Sequence, residues 1–147
     1  MSLINRGEEA NIINVIREGN EIKQIVFLFQ KGLKPIDYSK PEAKVQIEAY
    51  LKLIFQYFYK PERIRQYVPV KMGADSREAD IIVYNDDDCK QPHILIECKK
   101  QEVSEQEFLQ AIEQAYSYAY ALPNDVKYVW VTSGLRDEYF EVDKVRE

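Results

Sequence analysis

The sequence is poor in several features that mark specialised classes of protein. Its 147 residues include only two cysteines, Cys89 and Cys98, which are too few and too unpatterned for a disulfide framework or a zinc site. No apolar run approaches the roughly 20 residues of a membrane-spanning helix, and no signal peptide is visible. We therefore expect a cytoplasmic protein with reduced thiols and no membrane association.

The chain also lacks an excess of basic residues. Its 20 Lys and Arg stand against 25 Asp and Glu, for a net charge of −5. This balance disfavours a nucleic-acid binder that is held only by a basic surface. Hydrophobic residues make up 46% of the chain and aromatic residues 12%, which is enough for a core and excludes a wholly disordered chain.

Neither repeats nor a glycine-rich linker divide the chain, and its length suits one domain. We expect a single domain over residues 1–147, in which residues 1–3 look like an expression-tag remnant. Residues 4–38 are interpreted as an N-terminal helix and hairpin, and residues 39–142 as the core. The C-terminal sequence has no closing element, so we expect a fragment of a longer chain.

Periodicity predicts the elements of the first part of the chain. Residues 8–18 suggest a short helix stopped by Gly19, and residues 21–38 a hairpin, with a helix from residue 21 as the alternative. A long helix is predicted over residues 41–59, with Ser39 as its N-cap and Pro61 after its end.

The second part alternates between strands and one further helix. Ser104 and Glu107 form a capping box that begins a helix over residues 104–122. A helix between two strands implies that they are parallel neighbours, and we therefore expect an α/β fold with a mixed central sheet flanked by helices. The predicted strands are residues 67–71, 79–84, 92–99, 126–132 and 139–142.

Charged residues stand at the ends of two predicted strands. Asp80 begins one strand, and Glu97 and Lys99 end the next, on the same side of it because side chains alternate. If the strands are neighbours, two carboxylates and an ammonium group converge beside the core, which is costly without a purpose. Mg²⁺ prefers carboxylate oxygens and phosphates. The pattern indicates metal-assisted phosphodiester hydrolysis, in which Lys99 orients or deprotonates a water.

The spacing of these residues, with sixteen positions between Asp80 and Glu97-Cys98-Lys99, resembles the PD-(D/E)xK nuclease superfamily, with Ala79 in place of the proline. Four further segments in the same order are similar to the N-terminal nuclease domain of type I restriction enzyme R (HsdR) subunits. The resemblance covers about residues 33–142. The five matching segments are residues 40–46 (KPEAKVQ), 77–84 (READIIVY), 97–99 (ECK), 114–118 (Gln-x-x-x-Tyr) and 131–135 (VTSGL).

The resemblance implies a restriction-endonuclease-like fold and a role for each matching residue. Asp80 and Glu97 would bind Mg²⁺, or Mn²⁺ as a substitute, with the backbone carbonyl of Cys98 as a third ligand. Lys99 would be the catalytic lysine. A structural ion pair between Asp80 and Lys99 is the ordinary alternative.

The resemblance also implies supporting roles for residues on the two long helices. Glu42 would be an outer acid that contacts the metal directly or through water, with Glu48 as its competitor; acids are also common in a first helical turn for dipole reasons alone. Gln114 and Tyr118, four apart on one helix face, would position the scissile phosphate or support Lys99, or else only pack. Three basic residues are weaker candidates for DNA contacts: Lys71, Arg77 and Lys100.

The function implied is Mg²⁺-dependent endonucleolytic cleavage of double-stranded DNA. In such systems the domain precedes a translocase domain in the same chain and works with specificity and methyltransferase subunits. ATP would bind only to that translocase, since no P-loop occurs in these residues. The alternatives are a stand-alone nuclease on branched DNA or RNA, and a docking or DNA-binding module whose site is degenerate.

Overall fold

The computed structural model describes residues 1–123 and 126–143, and they form helices and strands in an α/β arrangement. The helices are α1 (Leu3–Glu9), α2 (Pro41–Phe55) and α3 (Glu105–Ala121), with a 3-10 turn at Pro61–Arg63. The strands are β1 (Ile13–Glu18), β2 (Glu21–Phe27), β3 (Ile36–Asp37), β4 (Ile64–Met72), β5 (Asp75–Tyr84), β6 (Pro92–Cys98), β7 (Tyr128–Thr132) and β8 (Asp137–Glu141).

The central sheet has the order β4-β5-β6-β7-β8 and is mixed, because only β6 and β7 run parallel. Helix α3 makes the crossover between them, so the predicted parallel pair is confirmed. Alternate residues of the strands feed two cores. Ile81 and Ile96 pack in the core that includes α2, whereas Ile82 and Leu95 pack in the core that includes α3. The predicted mixed sheet flanked by helices is therefore confirmed.

The predicted helix over residues 8–18 is wrong. Helix α1 ends at Glu9, and residues 13–18 form β1, which pairs with β2 in an antiparallel hairpin. Ile13 and Val15 are buried while Asn14 and Ile16 are exposed, which is the two-residue period of a strand. Gly19 occupies the hairpin turn with φ +62° rather than stopping a helix. The predicted hairpin over residues 21–38 is confirmed as the β2–β3 pair, although β3 is very short.

The two long helices form close to where the sequence placed them. Helix α2 is shorter than predicted, and Ser39 is not its cap: Lys40 holds that position without a side-chain bond, while Ser39 hydrogen bonds to the Asp37 carboxylate. Helix α3 begins with the predicted cap, since the Ser104 hydroxyl accepts from the Glu107 N–H at 3.1 Å. No helix in residues 1–123 or 126–143 has the length and apolar character needed to cross a membrane.

Candidate active site

The antiparallel pairing of β5 and β6 stops one residue short of two acids. Ile81 and Ile96 are the last paired residues toward this end, so Asp80 and Glu97 stand opposite each other just beyond. The Asp80 N–H donates to the Glu97 carboxylate at 3.2 Å, and the Cys98 N–H donates to the Asp80 carboxylate at 2.7 Å. Side chains thus take the place of ladder hydrogen bonds, and the two predicted acids are held together where the strands separate.

Burial makes this acid pair hard to ionise. Glu97 is only 4% exposed, and burial, followed by the charge of Asp80, raises its pKa well above the usual value. Burial is also the largest cause that raises the pKa of Asp80 to about 6, against the opposing effect of the Cys98 N–H. Burial and the proximity of the two carboxylates therefore favour their protonated forms.

Lys99 follows the pair and reaches an acid on α2. Its backbone N–H donates to the Thr132 carbonyl at 2.9 Å, which fixes the chain as it leaves β6. Its Nζ lies 3.7 Å from the Glu42 carboxylate. Glu48, further along the helix, lines a different groove together with Lys44. The structure therefore places Glu42, rather than Glu48, beside Lys99.

Gln114 and Tyr118 form a bonded pair on α3. The Gln114 amide donates to the Tyr118 hydroxyl, and Tyr118 is buried. Burial is the main cause that raises the pKa of Tyr118, and the negative charge of Glu97 is the next. The charge of Glu97 therefore acts on the Tyr118 phenol.

The basic candidates fall in two places. Lys100 lines a cleft of about 740 Å³ together with Asp80 and Glu42. Lys71 and Arg77 are exposed on the β4–β5 hairpin and are not among the described residues that line this cleft. The predicted DNA-contacting residues are thus separated, with only Lys100 at the acids.

One known protein family matches the part of the chain that carries these residues. Residues 41–147 match the family described as "Type I restriction enzyme R protein N terminus (HSDR_N)". The chain belongs to this family. The match begins at the first residue of α2, so it includes every candidate site residue and leaves α1 and β1–β3 outside. The resemblance inferred from the sequence is confirmed at the level of this family. No curated protein matches the chain.

Two further residues lie at the site of this R-subunit domain and were not predicted from the sequence as site residues. Gln46 on α2 donates to the Asp80 carbonyl at 3.0 Å and to the Gln66 side chain at 2.9 Å. Its position four residues after Glu42 gives a usable signal, because such residues share a helix face. Tyr67 lines the cleft, and burial raises its pKa to about 12. No local pattern in the sequence indicates Tyr67.

The donor set limits what the site could hold. Within residues 1–123 and 126–143, no three His, Cys, Asp or Glu side chains are grouped so as to hold a metal ion. A cation here would depend on the Asp80 and Glu97 carboxylates, a main-chain oxygen such as that of Cys98, and water. Mg²⁺ fits such a set, because it is commonly bound by one or two carboxylates and keeps several waters.

Proposed function

We propose that this domain is a Mg²⁺-dependent endonuclease of the PD-(D/E)xK type, which cleaves double-stranded DNA as part of a type I restriction enzyme. The observation that carries the proposal is the pairing of half-buried Asp80 with buried Glu97 at the point where β5 and β6 separate, with Lys99 next in the chain. Membership of the R-protein family supports DNA as the substrate.

Asp80 and Glu97 are proposed to hold Mg²⁺, or Mn²⁺ in its place, with the Cys98 carbonyl as a further ligand. The bound cation would supply Lewis-acid activation of the phosphodiester and of water. The chain's own contribution is to keep both carboxylates in position through the Asp80 and Cys98 N–H groups. Their poor solvation favours uptake of a cation over two bare charges.

Lys99 is proposed to act on the reacting groups through its Nζ. An ammonium group there can orient the attacking water and neutralise the charge that grows on the phosphate oxygens. Glu42, whose carboxylate lies 3.7 Å from the Lys99 Nζ, is proposed to be an outer acid that contacts the cation directly or through water. Tyr118, bonded to Gln114, is proposed to support the Glu97 side of the site.

The domain is proposed to work inside a larger assembly. Its partners would be a translocase domain in the same chain, which binds ATP, and separate specificity and methyltransferase subunits. Among the contact candidates, Lys100 in the cleft is proposed to touch DNA phosphate, with Lys71 and Arg77 as more distant contacts.

The direct test measures DNA cleavage by the complete restriction complex. Asp80→Asn, Glu97→Gln and Lys99→Ala are each expected to lower the cleavage rate by roughly 100-fold or more, while ATP-dependent translocation continues. Asp88→Asn, in an exposed acidic turn, is the matched control and should cleave normally. Normal cleavage by the three site variants would contradict the assignment.

Cation binding gives a second, independent test. Calorimetric titration with Mg²⁺ or Mn²⁺ should show uptake by the wild-type protein and much weaker uptake by Asp80→Asn. Absence of uptake even with DNA present would instead favour a docking module with a degenerate site.

A further inference from the structure

Tyr67 has an unusual backbone conformation within a strand. Its φ is +52°, in the left-handed region that residues with a β-carbon seldom adopt. The β4–β5 register pairs Gln66 with Ile81 and Val68 with Ala79, which places Tyr67 opposite Asp80, but Tyr67 and Asp80 themselves are not paired. The ladder is therefore interrupted at the residue that faces the candidate metal ligand.

Both strands change faces at this position. Ile64 and Ile81 pack in the core that includes α2, whereas Val70 and Ala79 pack in the core that includes α3. Regular alternation would keep Ile64 and Val70 of β4 on one face, because their positions differ by an even number of residues. The same holds for Ala79 and Ile81 of β5. The kink at Tyr67 thus turns the β4–β5 ribbon over and leaves Tyr67 and Asp80 at the cleft between the two cores.

The kink is held from outside the strand. The Gln30 side chain accepts from the Gln66 N–H at 2.6 Å and donates to the Gln66 carbonyl at 2.9 Å. Both backbone groups of the residue before Tyr67 are therefore satisfied without a partner strand. Strained residues persist where the surrounding structure fixes them, and they concentrate at functional sites.

Tyr67 lines the cleft with Asp80, Glu42 and Lys100. No residue that the structure describes shares a hydrogen bond with its hydroxyl. The Tyr118 hydroxyl, by contrast, accepts a hydrogen bond from the Gln114 amide. Lys99 is paired with Glu42, so Tyr67 offers the cleft a neutral donor that is not bonded to any of the described residues.

We propose that Tyr67 is a substrate-positioning residue whose phenolic O–H donates a hydrogen bond to a phosphate oxygen of the DNA strand being cut. This inference rests on the proposed nuclease function. A phosphate that approaches Asp80 and Glu97 meets like charge, and a neutral donor opposite Asp80 attracts it without forming an ion pair with the acids. The rigid ring, held by a fixed kink, keeps that donor in one place.

The test compares Tyr67→Phe with wild type in the complete restriction complex. The variant keeps the ring and loses the hydroxyl, so we expect kcat/KM for DNA cleavage to fall about 10-fold. Tyr116→Phe on α3, whose ring packs on Phe140, is the matched control and should retain wild-type cleavage. Mg²⁺ uptake by Tyr67→Phe should equal that of wild type. If the substitution acted only by displacing Asp80, Mg²⁺ uptake would fall as well.

The outcomes separate this inference from the function on which it rests. If the wild-type complex cleaves, Asp80→Asn does not, and Tyr67→Phe cleaves as wild type does, the role of Tyr67 is wrong and the nuclease stands. If Asp80→Asn cleaves normally, the nuclease assignment itself fails. As a second readout, Tyr67→p-benzoylphenylalanine should capture DNA on irradiation and Tyr116→p-benzoylphenylalanine should not. Equal capture from the two positions would overturn the proposal.

Discussion

At the scale of single residues, the acid pair ties the stability of the fold to pH. The pKa of Asp80 is about 6 in the folded chain and that of Glu97 is raised well above its usual value, whereas both groups ionise near pH 4 when unfolded. Between these values the folded state binds more protons than the unfolded state. The free energy of unfolding therefore falls as pH rises from about 4 through 6 and beyond.

Because Asp80 and Glu97 lower the free energy of unfolding as pH rises, we expect the domain without divalent cations to unfold at a higher urea concentration near pH 5 than near pH 8. Glu97→Gln keeps an oxygen that can accept from the Asp80 N–H and removes the buried charge. We expect it to raise the free energy of unfolding at pH 8 by about 1–3 kcal/mol and to flatten the pH profile. Glu113→Gln, exposed on α3, should change neither. Loss of stability in Glu97→Gln at pH 8 would show that the charged form is the favoured one.

The pair between Lys99 and Glu42 separates stability from activity. Its side chains are 30% and 56% exposed, and exposed ion pairs contribute little to folding. We expect Lys99→Ala to change the free energy of unfolding by less than about 1 kcal/mol while abolishing cleavage. Arg17→Ala breaks the exposed pair with Glu8 and should be equally mild in urea titration yet fully active. Unfolding of Lys99→Ala would assign the lysine a structural role.

At the scale of elements, one amide joins the helix that carries Glu42 to the strand that carries Asp80. Gln46 is 4% exposed and donates to both Gln66 and the Asp80 carbonyl. Gln46→Leu leaves these buried acceptors unpaired, so we expect a loss of about 1–3 kcal/mol in urea denaturation together with slower cleavage. Glu48→Ala, exposed on the same helix, should leave both unchanged. An unaltered cleavage rate in Gln46→Leu would mean that α2 needs no such anchor.

Local patterns predicted the elements whose period is clear. Residues close together in the chain determine these features: the apolar stripe of α3, its Ser104 cap and the apolar run of β6. The same is true of the alternation that brings Glu97 and Lys99 to one side of their strand. The helix predicted over residues 8–18 was wrong because Ile13 and Val15 are β-branched residues near a glycine. Such a segment is compatible with a short helix or with a strand, and only the pairing with β2 decides between them. Gln46 follows Glu42 by one helical turn, which is a usable local signal. Tyr67 could not be found locally, since its role arises from contacts with distant strands.

At the scale of the whole molecule, the N-terminal strands β1 and β2 and the part of the chain that matches the family share their packing. The family match begins at α2, yet Ile13, Ile25 and Phe27 of β1 and β2 are buried in the same core as α2 and the central sheet. The Phe27 and Tyr50 rings meet edge to face at 5.0 Å. The segment that precedes the match therefore supports the helix from which Glu42 projects.

This shared core predicts that damage to β2 reaches the site. Phe27 is 4% exposed, so Phe27→Ala leaves a cavity against Tyr50 and should cost about 3–5 kcal/mol in the free energy of unfolding. The neighbouring Leu28 is 46% exposed, and Leu28→Ala should cost less than about 0.5 kcal/mol. Because α2 carries both Glu42 and Gln46, we also expect Phe27→Ala to weaken Mg²⁺ uptake at temperatures where the domain is still folded. If urea titration gave the two variants the same free energy of unfolding, the packing of β2 would not contribute to the stability of the core.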